Sequence, residues 1–122
     1  MIEIPTIRQV IKQHQKSIDR YGGGPLILDE NKIESALKSM YDPSLGVPEV
    51  CAKISFRIIS NHPFQDGNKR TALFTLLLML KKNGHKYNGR KKDLEEIIKK
   101  LADGKETEEG YMAFIFHHTE KL

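Results

Sequence analysis

Residues 62–70 read HPFQDGNKR, so an imidazole, a carboxylate, a glycine, two side-chain amides and two cations fall within nine positions. If a helix begins near Gly67, its first backbone N–H groups have no intrahelical acceptor and its dipole is positive there, which makes that end an anion site. Lys69 adds a compact point charge, and Arg70 can grip phosphate oxygens with two parallel donors. Gly67 has no Cβ to hold an anion away from the backbone. Asp66, just before it, can hold a magnesium ion, which prefers carboxylate and substrate oxygens with several waters retained. One helical turn upstream, His62 could take a proton from an attacking hydroxyl near neutral pH.

Each of these residues also has a purely structural reading. Asp66 could cap the following helix, Phe64 could anchor the loop in the core, Asn68 could satisfy loop backbone or bind phosphate, and a lone His62 could be structural. Their conjunction in one short segment is what points to phosphate chemistry.

Two apolar helices must position that segment. Upstream, Pro48 suits the first position of a helix and Glu49 its positive end, and Cys51, Ile54 and Ile58 form a stripe that leads to His62. Downstream, a helix over residues 67–83 turns Leu73, Leu76, Leu77 and Leu80 inward, with Phe74, Leu78 and Met79 widening an apolar girth suited to the centre of a bundle. Before them, the steps of Ile7, Val10, Ile11, His14 and Ile18 predict a helix over 6–21, ended by the glycines at 22–24. Asp29 is an N-cap candidate for a second helix through Met40, with Ile33, Leu37 and Met40 inside and Asp42-Pro43 closing it. Near the end, Leu94, Ile97, Ile98 and Leu101 mark a helix capped at Gly104, as Gly84 caps the central one. Residues 107–120 read as a last helix burying Tyr111, Phe114 and Ile115, and no strand pair is expected beyond a short extended piece over 24–28.

With 122 residues, 39% apolar and 30% charged, the chain fits one folded domain spanning 1–122. A net charge of +4 favours anionic ligands, but the basic residues are scattered as pairs on separate elements, so direct nucleic-acid binding is not implied. The lone Cys51 among apolar neighbours reads as a buried inert thiol in a reducing cytoplasm. MIEIPTIRQV has no secretory pattern, and the apolar run at 72–80 is about half the ~20 residues that cross a bilayer, so a soluble chain without a membrane partner is expected. His14 reads as a core histidine and His117-His118 as solvated surface. The strings GxxxxGK(S/T), GxGxxG, HRD and DFG are missing, which argues against a conventional kinase fold.

HPFQDGNKR resembles the Fic/Doc signature HxFx(D/E)(G/A)N(G/K)R at every position. The segments IDRYGG (18–23), LDENKIESAL (28–37) and TALFTLLLMLKKNG (71–84) resemble those of death-on-curing (Doc) toxins, so the likeness covers roughly residues 1–87. It implies an all-α, six-helix bundle around a central apolar helix, binding ATP with magnesium. His62 would activate the target hydroxyl, Asp66 would hold the metal, and Gly67 and Asn68 would bind phosphate through the backbone. Arg70 would stabilise the transferred group, Phe64 would pack the loop of this nucleotide site, and Lys69 would bind phosphate and direct the chemistry. Members that transfer AMP carry Gly where this chain has Lys69, whereas Doc-type members carry Lys, reverse the triphosphate and transfer its terminal phosphate. Pro63 and Gly67 are more typical of the AMP-transferring branch, which stands as the alternative; an inactive helical binding module is the reading from another class. The likeness to Doc implies a threonine of elongation factor Tu as target and arrest of translation as outcome. KETEEG at 105–110 lacks the first residue of the family's inhibitory motif (S/T)xxxE(G/N), so a separate small antitoxin protein is implied as the restraint.

Overall fold

Thr6 opens the first helix reciprocally in the computed structural model, which describes residues 2–39 and 42–122. Its hydroxyl accepts from the Gln9 N–H at 3.1 Å while the Gln9 side chain accepts from the Thr6 N–H at 2.9 Å, a capping box at the head of α1 (Ile7–Tyr21). Val10, His14 and Ser17, spaced at four and three residues, are its buried stripe. Gly22 ends it at φ 78°, a conformation open to glycine at little cost.

Asp29 caps α2 (Glu30–Lys38) by accepting the Asn31 N–H at 2.9 Å. The helix closes earlier than its apolar spacing predicts, because the Ser39 hydroxyl donates to the Ala36 carbonyl at 2.6 Å and competes with continuation of the ladder. Ile33 and Ala36 are its buried residues, Leu37 is half-buried, and Met40 lies outside the described residues.

Pro48 stands in the first turn of α3 (Val47–Asn61), and Cys51, Ile54 and Ile58 are completely buried along it. The following rod, α4 (Asn68–Lys82), buries Leu73, Leu76, Met79 and Leu80. Here the inward face differs from expectation: Met79 is core, whereas Leu77 is 38% exposed. Leu76, Met79 and Leu80 fall at three- and four-residue steps under α3, and Leu77, about 100° round the axis, faces a groove beside His85 and Leu122.

Two helices complete the bundle, α5 (Lys91–Ala102) and α6 (Glu108–His117). Leu94, Ile98 and Leu101 face inward from α5, and Tyr111 and Ile115 from α6, with Phe114 only half-buried. The Tyr111 hydroxyl lies 2.9 Å from Ser55 Oγ, whose own proton goes to the Ala72 carbonyl at 3.0 Å, so tyrosine is the donor. That chain of two hydrogen bonds ties α6 to α3 and α4 in the dry core. The last helix stops at His117, short of the expected 120, and Thr119–Lys121 forms strand β2, antiparallel to β1 (His85–Tyr87). Each strand is only three residues long and Tyr87 is the one apolar side chain among the six, too little for an alternating signal, which is why neither strand was legible. The extended piece at 24–28 is real but minimal: Ile27 makes one antiparallel bridge, to Phe64.

Among the described residues the architecture is thus a six-helix all-α bundle with a two-stranded ribbon. α4 packs on α1, α3, α5 and β1, and α3 beside it packs on α2, α4, α5 and α6, so these two form the centre. No described helix is long and apolar enough to cross a membrane.

Burial pushes the Cys51 thiol up to about 12 from an ordinary 9.0. The proton is therefore retained in the folded chain where the unfolded chain would release it. This stabilising contribution is complete below pH 9.0 and is lost as pH rises through about 12. At pH 8 the native protein should resist a thiol reagent that labels the unfolded chain within minutes; comparable rates in both states would contradict the burial.

Candidate active site

The C-terminus of α3 and the N-terminus of α4 meet head to tail, joined by residues 62–67. His62 terminates α3 at φ 51°, the one non-glycine with positive φ among the described residues, and its imidazole is exposed where the apolar stripe of α3 runs out. Gly67 begins α4 at φ 81° with no side-chain cap, so the first N–H groups of that helix stay free for a ligand. A Cβ on Gly67 would stand 3.1 Å from Ser17 Oγ and 3.5 Å from the His14 ring, which shows how closely α1 approaches this terminus.

Three devices hold the loop between them. Phe64 is fully buried and stacks face to face on His14, with ring centroids 3.9 Å apart and planes 5° apart. His14 Nε2 also lies 2.8 Å from the Asp66 carbonyl oxygen, so the core histidine donates to the loop as well as supporting it. The second device is Asn68, buried at the head of α4. Its Oδ1 accepts the Phe64 N–H at 3.1 Å, and its Nδ2 donates to the Phe64 carbonyl at 2.9 Å and contacts His62 Nδ1 at 3.1 Å. Since the amide oxygen is already committed, Nδ2 is the donor to His62, and the neutral imidazole carries its proton on Nε2. Third, the chain at 24–28 runs alongside the loop: the Leu28 N–H donates to the Pro63 carbonyl at 2.8 Å and the Gln65 N–H to the Leu26 carbonyl at 3.0 Å.

Asp66 is not the N-cap of α4. Its Oδ2 instead accepts the Gly24 N–H at 2.6 Å, which fixes the carboxylate at the cleft wall and leaves Oδ1 open. Gly23 and Gly24 make this possible, because a Cβ on Gly23 would stand 3.1 Å from the Asp66 Cβ and one on Gly24 would overlap the Gln65 amide. Arg70 lies with its guanidinium 4.4 Å from the centre of the Tyr21 ring, a cation–π contact that holds the charge against the end of α1.

His62, Asp66, Gly67, Asn68 and Lys69 line one cleft of about 370 Å³, closed on its far side by Ala102 and Asp103 at the end of α5. Arg70 lies outside it, on the adjoining face of α4. Two of the candidate residues can meet a ligand only indirectly or through the backbone. Phe64 has no exposed surface and acts on a ligand only through the loop it anchors. The Asn68 amide is spent on Phe64 and His62, so its backbone N–H is what remains for phosphate. Tyr21, Gly23, Gly24 and Asp103 went unrecognised as parts of the site; the run of glycines at 22–24 was the one available signal, and it reads equally well as a helix stop.

Magnesium fits this donor set. Asp66 keeps one carboxylate oxygen open at the wall of the cleft beside the free N–H groups of α4, and Asp103 lines the same cleft, which suits a cation held by few protein oxygens and completed by water and substrate oxygens. Asn68→Ala removes three polar contacts at once and should destabilise the fold by about 1–3 kcal/mol, because Phe64 N–H and C=O are left buried and unpaired. A denaturant midpoint equal to that of the native chain would refute this role.

Comparison with known proteins bears on the same segment. The model of the Fic/DOC family matches residues 5–80. A relative from Escherichia phage P1, described as "Protein kinase doc", is 35% identical over 81 residues, which are 62% of this chain and 64% of the relative. The chain thus spans somewhat less than two thirds of the length of that relative.

Proposed function

This chain belongs to the Fic/DOC family, and from that premise we propose that it is a Doc-type toxin that transfers the terminal phosphate of ATP to a protein hydroxyl. One observation carries the reading: the uncapped, glycine-led terminus of α4 opens into the cleft that also holds His62, Asp66 and Lys69. The description of the phage P1 relative as a protein kinase supports the same reaction.

In this reading the polyphosphate lies on the free N–H groups at the head of α4, with Lys69 beside it and the guanidinium of Arg70 swung from Tyr21 onto its oxygens. A magnesium ion on Asp66 would neutralise charge on the phosphates and orient them. The target hydroxyl enters over His62 and displaces the Asn68 amide from Nδ1, the nitrogen with the free pair. Its oxygen forms a bond to the terminal phosphorus as the bridge to the β-phosphate breaks. The hydroxyl proton passes to His62, the bridging electrons leave with ADP, and the product is a phosphoester. Lys69 stands where the transferred group gathers charge.

The proposed target is a threonine of elongation factor Tu, the consequence is arrested translation, and the setting is the cytoplasm, where the 122 residues act as one domain restrained by a small antitoxin. The experiment incubates the protein with magnesium, elongation factor Tu and ATP labelled in either the γ or the α position. Label from γ alone on the target supports the kinase. Label from α alone would replace it with AMP transfer, and no label from either while antitoxin binding persists would leave a binding module.

A further inference from the structure

Among the described residues, Arg57 and Arg90 are each held by a carboxylate, of Glu108 and Asp93, whereas Arg70 makes no ion pair. What holds it is a ring. Its guanidinium lies 4.4 Å from the centre of the Tyr21 ring, and Tyr21 is itself seated on α4, its ring centre 6.5 Å from that of Phe74. Lys16 stands 5.2 Å from the Phe74 centre, so the seam of α1 and α4 carries two rings with a cation over each.

The place of this contact in the fold matters. Tyr21 is the last residue of α1, three positions before Gly24, whose N–H donates to the Asp66 carboxylate. Held on that ring, Arg70 lines the cavity between α4 and α5, over Leu73 and Ile98, and not the cleft of His62 and Asp66. Lys69, one position earlier, lines the cleft itself and has no ring beside it among the described residues. One cation of the segment is already at the cleft, and the other is a side-chain swing away.

From this difference we infer that Tyr21 is a positioning residue: it holds Arg70 off the polyphosphate site until a ligand draws it across, and so weakens the binding of that ligand. The inference rests on the phosphotransferase reading above, in which Arg70 turns to the phosphate oxygens. One guanidinium then has two competing partners. The ring attracts it through its electron-rich face. A phosphate carries full charge and accepts two parallel N–H bonds, so it attracts more strongly and prevails. Binding is still weakened by the fraction of chains in which the cation rests on the ring. For an exposed cation–π contact that fraction corresponds to about a two- to fivefold loss of affinity.

Tyr21 is 49% exposed and ends its helix, so its side chain can be exchanged with little loss of packing. A series at this position grades the hold on Arg70, because leucine has no aromatic face, phenylalanine keeps one and tryptophan presents the strongest. The ligand is magnesium tripolyphosphate, the phosphate chain without a nucleoside, titrated by calorimetry into the full chain. Tyr21→Leu should bind it about two- to fivefold more tightly than the native chain, Tyr21→Phe as the native chain does, and Tyr21→Trp more weakly. A damaged fold would not tighten binding. Equal affinities across the series, or weaker binding by Tyr21→Leu, overturn the inference.

The arginine itself gives a second readout. In the free native chain the Arg70 side-chain Nε–Hε proton should be shifted upfield by the ring current of Tyr21, and should move downfield as magnesium tripolyphosphate is added. An ordinary position in the free chain, or an upfield position retained at saturation, overturns the inference as well. A native chain that binds the ligand while the series shows no such order removes the role of Tyr21 alone. No binding by the native chain would fell the phosphotransferase reading and this inference together.

Discussion

His62→Ala should lower phosphate transfer by about 10²- to 10⁴-fold, the range a positioned general base contributes, while magnesium ATP binds as in the native chain. The two effects separate because the imidazole is exposed at the end of α3, whereas the proposed anion site belongs to the backbone of α4. One side effect needs a control. His62 sits at φ 51°, where alanine costs about 1–2 kcal/mol, so His62→Asn, which tolerates that backbone, should lose activity equally with less loss of stability. Single-turnover transfer and calorimetric titration of both variants would check the pair. Activity within a few fold of native in either variant would remove His62 from the chemistry.

Gly67→Ala should do the opposite and damage binding. At φ 81° a side chain is strained by about 1–2 kcal/mol, and its Cβ would press on Ser17 Oγ at 3.1 Å. Relief comes by moving the head of α4 away from α1, which also shifts the free N–H groups and the His14 hydrogen bond to the Asp66 carbonyl. We expect ATP affinity to fall at least about tenfold, since each misaligned charge-assisted hydrogen bond is worth about 1.5–3 kcal/mol. The denaturant midpoint should fall as well. Native affinity at native stability would show that this glycine is incidental.

These contrasting outcomes arise from features that differ in how far the chain discloses them. The run of Cys51, Ile54 and Ile58 points to His62 because helical periodicity is a local property, and the helix indeed gives out one residue before it. Gly67 as the start of α4 was equally legible, since no other residue in the segment so readily takes a positive φ. Asp66 was harder. An aspartate ahead of a helix most often caps it, and only the approach of Gly24, forty-two positions earlier in the chain, turns the carboxylate outward. Tyr21 under Arg70 is likewise a contact between elements distant in sequence, and nothing in the spacing of either residue announces it.

Leu77 and Met79 exchanged places for a related reason. On a helix apolar nearly all round, composition cannot say which side a neighbour will cover, and the position of α3 decided it. The ribbon of β1 and β2 escaped detection because its six residues carry no apolar alternation, and its pairing joins segments more than thirty residues apart. The resemblance to Fic/Doc chains covered the signature and α4 but did not reach α5, so Asp103 and the cavity over Leu73 and Ile98 emerge only from the fold.

We propose that the head of α4 grips a metal-bound polyphosphate. Amide chemical shifts followed while magnesium ATP is added to the isotopically labelled chain test it directly. The largest saturable shifts should fall on the N–H groups of Gly67, Asn68, Lys69 and Arg70, and should weaken when the divalent cation is withdrawn. Shifts confined to other surfaces, or none at all from a folded chain, would contradict it.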